Sequence, residues 1–80
     1  MTKLEYKLIQ LGYTLLVRKV WIKNTKKQKL SIELVDDLKK VKKWWVRPCQ
    51  EILNEEEIKN IESAYKKLKN DINILNNIGD

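Results

Sequence analysis

A chain of 80 residues makes one domain at most, and folding at that length hides only about 60–65% of the surface exposed when unfolded, so there is room for a single small core. Hydrophobic residues at 42% and charged residues at 35% describe a globular domain rather than a disordered or membrane-embedded one. The net charge is +6, histidine is absent, Cys49 is the only cysteine and glycines number two, which together exclude zinc fingers, histidine-based triads, disulfide frameworks and glycine-rich phosphate loops.

At the start of the chain Leu4, Tyr6 and Leu8 alternate, as in a strand that turns at Gly12; Thr2 with Glu5 reads equally as the capping box of a short helix. Residues 13–22 are dense in β-branched and aromatic side chains, and their apolar positions fit no single helical stripe. Read with period two, Ile9, Leu11, Tyr13, Leu15, Val17 and Trp21 share one face, broken by Lys19, while Leu16, Val20 and Ile22 fall mostly on the other. Residues 24–28 form a polar turn, after which Leu30, Ile32 and Leu34 alternate again, completing a hairpin pattern. Residues 29–35 also admit an earlier helix start at Ser31.

The next segment, 36–46, is expected to be helical. At 100° per residue Leu34, Leu38, Val41 and Trp45 fall on one side and Lys39, Lys40, Lys43 and Arg47 on the other, with Trp44 at the border. Asp36 and Asp37 at its start and Lys42, Lys43 and Arg47 near its end would complement the helix dipole. Pro48 then marks a joint, because proline fixes its own backbone and pushes the preceding residue out of helical geometry. Charge changes at the same point: residues 1–47 carry thirteen cations and four carboxylates, residues 48–80 four cations and seven carboxylates. One domain spanning 1–80 is expected, basic over residues 1–47 and acidic and helical over residues 48–80.

Asn54 followed by Glu55, Glu56 and Glu57 signals a helix N-terminus. Ile58, Ile61, Tyr65, Leu68, Ile72 and Leu75 follow at spacings of three and four, lining one face of a helix that reaches about Asn77, with Gly79 placed to end it. This stripe is expected to pack within its own chain; a homodimer seam is the alternative. Glu62, Lys69 and Asn76 on one flank and Ala64, Asp71 and Ile78 on the other supply no matched interhelical charge pairs. The expected fold is α+β, an antiparallel β-hairpin or three-stranded meander packed against two helices, with a small all-α bundle as the alternative.

Nothing in the sequence assembles a reaction centre. Glu55, Glu56 and Glu57 are consecutive and diverge around a helix, and Asp36 and Asp37 read as helix-start residues. Cys49 lies near Arg47 without any histidine to act as its base, and reads as a small hydrophobe. The chain is expected to be no enzyme and to hold no cofactor or metal. The longest apolar run, 13–17, stops at Arg18 and Lys19, far short of the roughly 20 residues of a membrane span. With no secretory pattern at residues 1–11 either, no membrane is expected among the partners, and a cytoplasmic location is expected.

The remaining lead is the basic surface. Lys23, Lys26, Lys27 and Lys29 gather at the hairpin tip, and Lys39, Lys40, Lys43 and Arg47 on the expected helix, where Trp44 offers a ring for an unpaired base. The expected partner is DNA or RNA, bound through its backbone and largely independently of sequence, or a host protein that carries nucleic acid. Fifteen lysines against two arginines argue against base-specific readout, which favours the arginine fork. In size, charge and its bias toward Lys, Asn and Ile the chain resembles the small accessory proteins of phages and mobile elements, among them inhibitors of host defence systems. That resemblance implies an alternative: a stoichiometric inhibitor docked on a host protein through Trp21, Trp44 or Tyr65. A third is a scaffold that self-associates through Ile58, Ile61, Tyr65, Leu68, Ile72 and Leu75.

Overall fold

The computed structural model describes residues 1–49, 51 and 54–78. Its elements are helix α1 (Lys3–Gln10), strands β1 (Thr14–Val17), β2 (Val20–Asn24), β3 (Gln28–Leu34) and β4 (Val41–Pro48), and helix α2 (Glu55–Asn76). The fold is α+β: a short N-terminal helix, a four-stranded antiparallel meander in the order β1-β2-β3-β4, and one long C-terminal helix packed on the sheet.

At the N-terminus the capping box wins over the strand. The Thr2 hydroxyl accepts the Glu5 backbone N–H at 3.2 Å, and the Glu5 carboxylate accepts the Thr2 N–H at 3.0 Å, so Leu4 and Leu8 become the buried side of α1 rather than alternate positions in a strand. Gly12 ends this helix at φ 95°: its N–H reaches the Ile9 carbonyl and the Tyr13 N–H reaches that of Leu8, a Schellman closure. Lys23 adds to the cap by donating from Nζ to the Leu11 carbonyl at 2.9 Å.

Residues 13–22 are not one strand. They fold back at Arg18 and Lys19 into the β1–β2 hairpin, with Thr14 opposite Ile22, Leu15 opposite Trp21 and a register shift before Val17. The turn expected at 24–28 is present, closed by the Thr25 N–H on the Gln28 carbonyl and the Gln28 N–H on the Thr25 hydroxyl. Beyond it Leu30, Ile32 and Leu34 are all buried on one side of β3.

The expected helix over 36–46 is overturned. Its second half is β4, paired with β3 from Gln28 opposite Pro48 to Leu34 opposite Val41. Asp36 and Asp37 belong to the β3–β4 turn, where the Asp37 carboxylate accepts the Lys39 N–H at 3.0 Å, a turn-forming contact. Leu38 holds a left-handed backbone, φ 62°, in that turn, and its carbonyl accepts the Thr2 hydroxyl at 2.9 Å. Val41, Trp44, Trp45 and Val46 are strand formers, and pairing with β3 gives their backbone groups partners that a short isolated helix supplies less well. Lys19 ties the two turns together through Asp36 at 2.9 Å, and that hydrogen bond holds the Asp36 carboxyl below the usual carboxylate range.

Both helices cover the same sheet face. Leu4 and Leu8 of α1, Leu68, Ile72 and Leu75 of α2, and Trp21, Leu30, Ile32 and Leu34 of the sheet form one core together with Tyr13, with Trp44 and Val46 packed at its margin. Asn54 caps α2 by accepting the Glu57 N–H at 3.0 Å, as the sequence pattern implies. The expected stop at Gly79 lies outside the described residues. Among the described residues, no helix lies on the opposite sheet face.

Candidate nucleic-acid interface on the open sheet face

Strand register maps the uncovered face directly, because residues two apart on a strand share a face and paired residues share it across strands. A middle row runs Thr14, Ile22, Ser31, Trp45 from β1 to β4. On one side of it lies the row Asn24, Lys29, Arg47, and on the other Val20, Glu33, Lys43. Neighbouring rows are about 6.6 Å apart along the strands.

The rows differ in charge. Lys29 and Arg47 stand beside each other with no carboxylate in their row. In the third row Glu33 lies 3.9 Å from the Lys43 ammonium and 3.8 Å from that of Lys42, so one carboxylate offsets one of the two cations. Between the two sits Trp45, half-buried, with Lys43 Nζ 5.8 Å and the Arg47 guanidinium carbon 6.0 Å from its ring centroid. Both distances lie near the outer limit of cation–π contact. Ser31, the smallest residue of the middle row, is 2% exposed although neither helix covers it.

The cations singled out in the sequence therefore do not form one cluster. Lys29, Lys43 and Arg47 share the open face. Lys26 and Lys27 are exposed at the β2–β3 turn, and Lys39 and Lys40 are exposed in the β3–β4 turn, at the other end of the sheet. Lys23 points to the covered side, where it caps α1 and lies 5.6 Å from the Tyr13 ring centroid. Trp44 faces the helices, opposite Ile32; its indole N–H is buried and has no partner, a condition shared with that of Trp21. Trp21 is 1% exposed, which removes it from any docking surface in this fold. A helical reading hides Trp45, because it puts the ring in the core. Read with period two, Lys43-Trp45-Arg47 announces a tryptophan flanked by cations on one face.

The long stripe on α2 divides. Leu68, Ile72 and Leu75 are buried beneath the sheet, Ile61 is half-buried, and Ile58 and Tyr65 are 47% and 44% exposed. Tyr13, between α1 and β1, ties this link to α2 by donating to the Asp71 carboxylate at 3.0 Å; burial first, and the adjacent Asp71 charge second, push its phenol well above the ordinary tyrosine range. Among the described residues no three potential metal ligands come together, and no helix is long and apolar enough to cross a membrane. A shallow cleft of about 290 Å³ lies between the β2–β3 turn and the start of α2, lined by Lys26, Lys27, Gln28, Pro48, Asn60 and Ile61 among others.

No protein-family model, curated protein or solved structure matches this chain.

Proposed function

We propose that this chain is a small, non-enzymatic basic binding protein whose helix-free sheet face contacts nucleic acid. The observation that carries the reading is the row of Lys29 and Arg47, a pair of cations without a carboxylate in their row, laid beside an indole on a face that neither helix covers. Phosphates neutralised there release counterions, so affinity comes largely from the backbone and falls steeply with salt. The small size, basic charge and lack of motifs, together with the bias toward Lys, Asn and Ile, support a place among the accessory proteins of phages or mobile elements.

Binding of labelled DNA and RNA at two salt concentrations tests this reading. Lys29→Ala with Arg47→Ala is expected to weaken binding to many sequences alike and to reduce the salt dependence by up to about two counterions. Retention of neither DNA nor RNA at about 50 mM salt sinks it, because nonspecific electrostatic binding is strong there. A second reading, docking on a host protein as a stoichiometric inhibitor, is favoured by one feature. The edge strand β1 leaves Leu15, Leu16 and Val17 45%, 60% and 58% exposed beside unpaired backbone, a surface suited to strand addition.

A further inference from the structure

The open face is asymmetric, and the asymmetry distinguishes one nucleic-acid strand from two. The outer rows stand about 13 Å apart, four residues along a strand. A duplex laid on the sheet presents two phosphate backbones and gains most where cations lie beneath both. Only the row of Asn24, Lys29 and Arg47 offers them unopposed. The far row places Glu33 between Val20 and Lys43, and its carboxylate, within 3.9 Å of both Lys42 and Lys43, offsets one of their two charges and stands in the path of a second backbone, so the far row is the weaker phosphate track.

Next to the cationic row lies a strip with little charge, Ile22, Ser31 and Trp45, one residue pair away. A base attached to a backbone on Lys29 and Arg47 reaches this strip, and there it meets the indole of Trp45. Lys43 and Arg47 stand 5.8 Å and 6.0 Å from the centroid of this ring, at the outer limit of contact, so a stacked base displaces no close cation–π pair. Lys43 already pairs with Glu33 at 3.9 Å, an interaction it keeps when a base takes the ring. Arg47 then stays over the ring or follows the phosphate, and both positions favour the bound state.

We infer that this face binds single-stranded nucleic acid, the phosphates following Lys29 and Arg47 and one unpaired base stacking on Trp45. This inference rests on the nucleic-acid reading of the face and narrows it to one substrate class. Duplex DNA hides its base faces within the stack, so only a strand with unpaired bases gains from the indole.

The test uses the full chain, a labelled single-stranded oligothymidylate and a duplex of equal length, at low salt. The wild-type protein is expected to prefer the single strand. Trp45→Ala is expected to weaken single-strand binding by roughly ten-fold or more while leaving duplex binding within about two-fold, and Trp45→Phe, which keeps an aromatic plane, to retain most of the affinity. A second measurement avoids any question of folding in the alanine variant. In Trp44→Phe protein the remaining tryptophans are Trp21, sealed in the core, and Trp45, so fluorescence quenching by the single strand reports Trp45 alone. Quenching by the single strand but not by the duplex supports the inference. Equal affinity for both forms, with Trp45→Ala and Trp45→Phe both without effect and no quenching, overturns it and leaves a backbone-only interface. Absence of binding to either form overturns it together with the nucleic-acid reading.

Discussion

The hydrogen bond from Tyr13 to Asp71 links residues 58 apart in sequence and makes part of the fold's stability depend on pH. Burial and the neighbouring carboxylate raise the phenol's pKa above its unfolded value of about 10. The unfolded chain therefore loses this proton first. The stabilisation is complete below about pH 10 and is lost as pH rises through the folded value. Tyr13→Phe is expected to cost about 1 kcal/mol at pH 8, since Asp71 is partly exposed and recovers water. Urea unfolding at pH 8 and pH 11 checks the cost and its pH dependence together: the wild type is expected to lose more stability than Tyr13→Phe over that interval, and equal losses would exclude Tyr13 as a contributor. At the same scale Trp21 and Trp44 flank Ile32 in one register row, each with a buried indole N–H lacking a protein partner. Their contribution comes from ring area rather than from hydrogen bonding, which is why phenylalanine is a reasonable replacement at position 44.

Among the elements, α2 shows how one sequence stripe serves two environments. Leu68→Ala is expected to cost about 2–5 kcal/mol, because the side chain is fully buried, whereas Ile58→Ala is expected to stay within about 0.5 kcal/mol. Thermal melts of the two variants measure this directly, and equal costs would mean that the exposed end of the stripe is covered in solution. The helix itself is legible in the sequence because Asn54, the three glutamates and the 3-4 spacing all point to the same state. The turn at 24–28 and the alternation of Leu30, Ile32 and Leu34 are legible for the same reason. The strand β4 is not. Asp36 and Asp37 ahead of Lys42, Lys43 and Arg47 imitate the charge order of a helix, and Leu34, Leu38 and Val41 imitate its stripe, although Leu34 belongs to β3 and Leu38 to a turn. What decides the segment is the waiting edge of β3, whose paired residues lie from Leu34 opposite Val41 to Gln28 opposite Pro48 and are revealed by no local pattern. The placement of Trp45 fails with it: the cations Lys29, Lys43 and Arg47 are visible in the sequence, while a helical reading assigns the indole they surround to the wrong face.

For the molecule as a whole, the division of labour follows the charge. The basic N-terminal region supplies the sheet, and with it the open face, while α2 covers the other side. The sheet is a meander of sequence neighbours, whose hairpins form in microseconds, but its cover comes from the far end of the chain. On a ribosome adding roughly 5–20 residues per second, the stretch between Pro48 and the end of α2 at Asn76 takes on the order of seconds to appear. For that interval Trp21, Ile32, Leu34, Trp44 and Val46 lack the helix that buries them. Residues 1–49 expressed alone are therefore expected to be largely insoluble and to give a lower soluble yield than the full chain; equal soluble yields would show that the sheet does not need α2. The late arrival of α2 leaves one face of the sheet bare while the chain is still being made, so slowing translation of residues 55–76 is expected to lower the soluble yield of the full chain.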